Sequence, residues 1–218
     1  MSRRWLGAVV AAVALSATSG AGARGLADME ARYQQSASAK RVNDVHKIAD
    51  LLEAYYARTG RLPLDQRIPP SGYLTVIVGA PKVERRLQPR GNPLGREAPV
   101  LASAEMLAAL REALGPEVRL PVDPQKAPNG PPNAYYVRFR PNGQYLVTGF
   151  LRQPYDFTIQ VAPDVYVYAL RSEIGDWGDP WDHARVTRQV PQTEREAIRA
   201  AGAAEDRRFG QWVDGAGN

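Results

Sequence analysis

The chain has 218 residues, 44% hydrophobic and 23% charged, with a formal net charge of +5. That length suits one ordinary domain with extensions and excludes a large multidomain enzyme. With no cysteine and 2 histidines, a disulfide scaffold, thiolate zinc, an iron–sulfur cluster and a cysteine nucleophile are excluded, and 19 glycines and 18 prolines predict a loop-rich fold rather than a helical bundle.

At the N-terminus Arg3 and Arg4 precede an apolar run from Trp5 to Leu15 and a small-residue stretch ending Ala21-Gly22-Ala23. A charged start, a short apolar core and small residues before a cut form a secretory signal, and the core is far below the roughly 20 residues of a spanning helix. Residues 1–23 are therefore expected to be a signal peptide cleaved after Ala23, giving a periplasmic or secreted protein without a stable membrane anchor. Losing both arginines trims the positive balance further, which is too weak to argue for nucleic acid as a partner.

From Asp28 to about Arg58 there is no Gly or Pro, and Val42, Val45, Ile48, Leu52, Tyr55 and Tyr56 recur at three- to four-residue spacing. This predicts one long amphipathic helix, stopped by Gly60 and Pro63. Tyr73 to Val78 reads as a strand, and the arginine- and proline-rich Pro81 to Pro99 as a solvated connector. A second helix is predicted from Ser103, as N-cap, to Gly115-Pro116, with Met106, Leu107, Leu110 and Leu114 on one side.

From Tyr135 the period changes to two. Tyr135–Arg140 and Gln144–Leu151 flank Pro141-Asn142-Gly143, a hairpin signal, and Tyr155–Val161 pairs with Val165–Leu170 around Ala162-Pro163-Asp164. Short connections predict four or five antiparallel strands. A capping box, Thr193-Glu194-Arg195-Glu196, opens a final helix. The predicted class is thus α+β: a long N-terminal helix packed on a small antiparallel sheet over residues 24–182, followed by a loop-rich C-terminal extension over 183–218 that carries a helix.

Chemistry-bearing patterns are sparse. His46 and His183 fall in no ligand or triad spacing, the serines lack a Gly-x-Ser-x-Gly elbow, and no glycine-rich phosphate loop is present. No catalytic residue is assigned. The most unusual stretch is Glu173 to Asp182, with four carboxylates, two glycines and two tryptophans. Oxygen-rich, glycine-permitted turns suit hard cations, so Glu173, Asp176 and Asp179 are candidate calcium ligands, while an acidic turn whose tryptophans cap the core explains the composition equally well.

Three segments in order, the helix end Ile48-x-x-Leu51-Leu52-x-x-Tyr55-Tyr56-Ala57-Arg58-Thr59-Gly60-Arg61-Leu62-Pro63, then Leu120-Pro121-Val122-Asp123-Pro124 with Tyr135-Tyr136-Val137, then Glu173-Ile174-x-x-Trp177, resemble the periplasmic part of the major pseudopilin of type II secretion. The likeness spans Val42 to Asp182. It implies a pilin-like fold, and calcium near Glu173 and Asp176, where members of that family hold it. The chain departs from the family in lacking the prepilin peptidase site and the long apolar stem that follows it. The function expected is a non-enzymatic exported component that binds another protein of an envelope or secretion assembly. The alternatives are a periplasmic carboxylate-dependent enzyme acting on envelope polymers and a free-standing ligand-binding module.

Overall fold

A computed structural model describes residues 6–70, 72–80, 99–124, 134–172 and 191–198. Helix α1 spans Leu6–Thr59, and its turns from Ala37 onward are packed. Val42, Val45, Ile48, Ala49, Leu52 and Tyr55 are all buried, the stripe that their spacing predicts. At its end Gly60 takes φ 71° and donates its N–H to the Tyr56 carbonyl at 2.8 Å, while Arg58 sits in the last turn beside the negative end of the helix dipole. Leu62 then turns back into the core.

Among the described residues six strands follow: β1 (Leu74–Val78), β2 (Val100–Ala102), β3 (Tyr135–Phe139), β4 (Tyr145–Leu151), β5 (Ile159–Ala162) and β6 (Val165–Arg171), in the order β2-β1-β3-β4-β6-β5. Helix α2 (Ser103–Leu114) lies between β2 and β3 in sequence, and a short helix α3 covers 192–198. The fold is α+β, but the sheet is mixed rather than antiparallel, because β2 pairs parallel to β1 in the register Thr75↔Val100 to Ile77↔Ala102. The reason is topological. A long connection separates β1 from β2, and a chain that travels that far can return in the same direction, which a tight turn forbids.

Several boundaries also differ from the expectation: α1 begins at Leu6 rather than near Asp28. The last hairpin begins at Ile159 rather than Tyr155, since Tyr155 to Thr158 closes a turn in which the Thr158 N–H reaches the Tyr155 carbonyl at 3.1 Å. Ser103 is the first residue of α2, not its cap; Ala102 occupies the cap position without a side-chain hydrogen bond. Helix α3 starts at 192, and the Pro191 carbonyl accepts from the Glu194 and Arg195 N–H groups, so Thr193 lies inside the helix and is not the cap of the predicted box.

The main core lies between α1, α2 and one face of the sheet. Alternate residues Leu74, Val76 and Val78, then Tyr135, Val137 and Phe139, then Tyr145, Val147 and Leu151 meet the helical stripe there, with Tyr168 and Leu170 from β6. Gly149 marks a close approach, where a Cβ would stand 3.1 Å from Val45 Cγ2. On the other face Ile77, Tyr136, Leu146, Val167 and Ala169 are also buried. Burial on both sides explains why β1 reads Leu-Thr-Val-Ile-Val instead of alternating cleanly with polar residues.

The region past the sheet is not an independent appendage where it is described. Ile198 of α3 is 7% exposed and joins the main core. No helix among the described residues is long and apolar enough to cross a membrane.

Candidate functional site

The docked half of α1 carries a polar seam inside an apolar contact. Arg41 inserts between β4 and the segment after Val118, where its Nε and Nη2 donate to the two Asp123 oxygens at 3.0 and 2.7 Å and its Nη1 donates to the Phe150 carbonyl at 2.8 Å. Both side chains of the pair are 3% exposed. A guanidinium is suited to this because its planar fork matches a carboxylate bidentately. Asp123 is aimed by its own backbone, whose N–H donates to the Gly79 carbonyl at 3.0 Å.

One helical turn on, Asp44 accepts from Lys40 Nζ through both oxygens at 3.0 Å and from the Tyr135 hydroxyl at 2.6 Å, with Lys47 Nζ at 4.0 Å. Burial raises the Asp44 carboxyl above its ordinary 3.8, against the lowering pull of Lys40, Tyr135 and Lys47. Burial and then the Asp44 charge hold the Tyr135 phenol well above 10.0, so it remains a donor. His46 shares a 2.7 Å hydrogen bond through Nε2 with the Tyr168 hydroxyl, whose ionisation burial likewise pushes upward. Further along α1, Glu53 Oε1 accepts from the Tyr145 hydroxyl at 2.9 Å and from Arg195 Nη2 at 2.6 Å, which ties together α1, β4 and α3.

These groups are arranged to hold the helix at one register on the sheet. Each of the three seam carboxylates is engaged by a cation, and tyrosine hydroxyls that stay protonated complete the shells of Asp44 and Glu53. Such pairing satisfies buried polar atoms rather than poising an acid and a base at different protonation states.

Where α1 leaves the sheet the surface opens into a cleft of about 330 Å³ between Gln35 to Ala39 and Gln153 to Tyr155. Gln153 Nε2 donates to the Ala31 carbonyl at 3.3 Å across one end. The Tyr155 ring meets Tyr168 edge-on, with centroids 6.3 Å apart and planes at 83°, so the cleft wall is braced against the His46–Tyr168 pair.

The predicted calcium ligands Glu173, Asp176 and Asp179 lie outside the described residues. Among the described residues no group of three or more His, Asp or Glu side chains comes together as a metal site. The sequence reading missed both the Arg41–Asp123 lock and the cleft. Asp123 carried a signal, standing between Pro121 and Pro124 in a segment fixed by two rings, but its partner is 82 positions away. Comparison with protein-family models, with curated proteins and with solved structures finds no match for this chain.

Proposed function

We propose that this chain is an exported, non-enzymatic component of an envelope or secretion assembly, built on a pilin-like plan in which the long first helix meets another protein. The observation that carries the reading is the contrast along α1. Its second half is locked to the sheet by Arg41, Asp44 and Glu53, whereas Asp28, Ala31, Arg32 and Gln35, before the packed turns, are exposed. A helix fixed at one end and open at the other offers a preorganised surface, so a partner need not order it on binding. After cleavage at Ala23, some 13 residues would precede Ala37, about 20 Å of helix at 1.5 Å per residue.

The paired state of the buried carboxylates supports a structural role for them over the enzyme alternative. Two measurements test the reading. Mass spectrometry of the exported form is expected to give Arg24 as the first residue. Photo-crosslinking in cells from position 28 or 32 is expected to trap a protein partner, and crosslinking from exposed Glu112 on α2 is not. Equal yields from all three positions would remove α1 as the contact surface. An uncleaved product retaining Met1 would remove export by this signal.

A further inference from the structure

We infer that the cleft between α1 and the β4–β5 connection is a binding site for a short neutral glycan. It borders the exposed helix face just described and shares Gln35 with it, but it does not depend on a protein partner there. At about 330 Å³, the cleft falls at the lower end of the range for small-molecule sites, roughly 300–1,000 Å³. That volume has room for a mono- or disaccharide unit.

The lining sets the chemistry. Gln35, Ser36 and Ser38 line it from the helix and Gln153, Pro154 and Tyr155 from the loop; none of the described residues lining the cleft is charged. An amide offers a carbonyl acceptor and two N–H donors side by side, which matches adjacent sugar hydroxyls that each donate and accept. The flat apolar faces of a tyrosine and a proline suit the C–H face of a sugar ring, and Tyr155 keeps 38% of its surface open to take that role. Charged ligands have no counter-ion in this wall, and desolvating them against it is unfavourable.

Ser38 supplies an independent sign. It is 4% exposed, and its Oγ is buried with no hydrogen-bond partner among the described residues. Buried hydroxyls in folded proteins are nearly always satisfied, and a turn of the Ser38 side chain toward the cleft would let a ligand hydroxyl supply the missing partner. A peptide fits less well. Extended peptides gain affinity by pairing with a strand edge, and this cleft has none, because α1 uses its backbone groups internally and Gln153 to Tyr155 lie between the end of β4 and the start of β5.

The test uses the full mature chain and calorimetric titration with N,N′-diacetylchitobiose and cellobiose, alongside a neutral Gly-Ser tetrapeptide. Saturable binding of at least one disaccharide is expected, with no heat from the tetrapeptide. Tyr155→Ala and Gln153→Ala should each weaken binding about tenfold. Ser38→Ala removes only the open hydroxyl, so it should keep or raise the melting temperature while weakening the same disaccharide several-fold. That combination separates a ligand contact from a loss of folding. Absence of saturable binding by either sugar, tighter binding of the tetrapeptide, or sugar binding unchanged in all three variants would each overturn the assignment.

Discussion

Arg41 and Asp123 are the residues on which the packing of the first helix turns. A buried ion pair adds little net stability over apolar residues of the same shape, but removing one partner strands the other charge out of water. Asp123→Ala is therefore expected to cost about 3–5 kcal/mol, read from the urea midpoint, while the double change Arg41→Met with Asp123→Ala costs less than Asp123→Ala alone. That inversion is the mark of a stranded charge, and simple additivity of the two single substitutions would refute it. Asp44 gives a pH signature. Its carboxyl, facing Lys40, Lys47 and the Tyr135 hydroxyl, keeps its proton to higher pH in the folded chain than the ordinary 3.8. Its contribution to stability is thus full below 3.8 and falls as pH climbs from there through the raised folded value. Wild type should lose ground relative to Asp44→Asn across that window, and parallel melting curves at every pH would contradict the assignment.

At the scale of elements, the packing depends on large side chains between helix and sheet and on a close backbone approach between the end of β1 and the segment around Asp123. Leu52 is fully buried in the main core, so Leu52→Ala is expected to cost about 2–5 kcal/mol through the cavity it leaves. An unshifted denaturation midpoint would mean that α1 docks elsewhere. Gly79 sits at φ 80°, and a Cβ there would meet the Pro121 carbonyl oxygen at 2.9 Å, the Asp123 nitrogen at 3.0 Å and Tyr135 Cδ2 at 3.1 Å. Two of those atoms are backbone and cannot swing away. Gly79→Ala should cost more than the roughly 1–2 kcal/mol of a left-handed backbone alone, because it also disturbs the segment that aims Asp123 at Arg41. A midpoint shift within that backbone cost would show that the segment yields freely.

Elements with a local signature were legible in the sequence. The stripe Val42 to Tyr55 and the Met106–Leu110 face of α2 repeat at helical spacing, and Asn142-Gly143 is a turn signal between two alternating runs. What escaped was non-local. Strand β2 has three residues, too few to show a period, and its parallel pairing depends on a partner strand more than twenty positions away in the chain. The cleft joins residues near 36 to residues near 154, all ordinary surface types, so no pattern along the chain distinguishes them. Arg41 sits within an apolar stripe and reads as a solvated charge until its partner is known.

Considered as a whole, the described parts form one body, since α3 returns to α1 through Glu53 and fills the core with Ile198. Ile198→Ala should lower the stability of the entire chain by about 2–5 kcal/mol, with far-UV circular dichroism and tyrosine absorbance melting together. Two separated transitions would show the C-terminal segment unfolding by itself. The polar ties of α1 also share a property that bears on how the chain is made. Their partners lie 82, 91, 92, 109, 122 and 142 positions downstream. A polypeptide emerging from a ribosome or a translocation channel N-terminus first presents this helix long before Asp123, Tyr135, Tyr145, Phe150, Tyr168 or Arg195 exists to receive it. Contacts at such separation are entropically late, and topologies dominated by them fold slowly. The first helix must therefore wait, with its buried stripe unprotected, until nearly the whole chain has arrived. During that interval Val42 to Tyr55 is a surface on which a chaperone, or a second nascent copy, has the advantage over the native sheet.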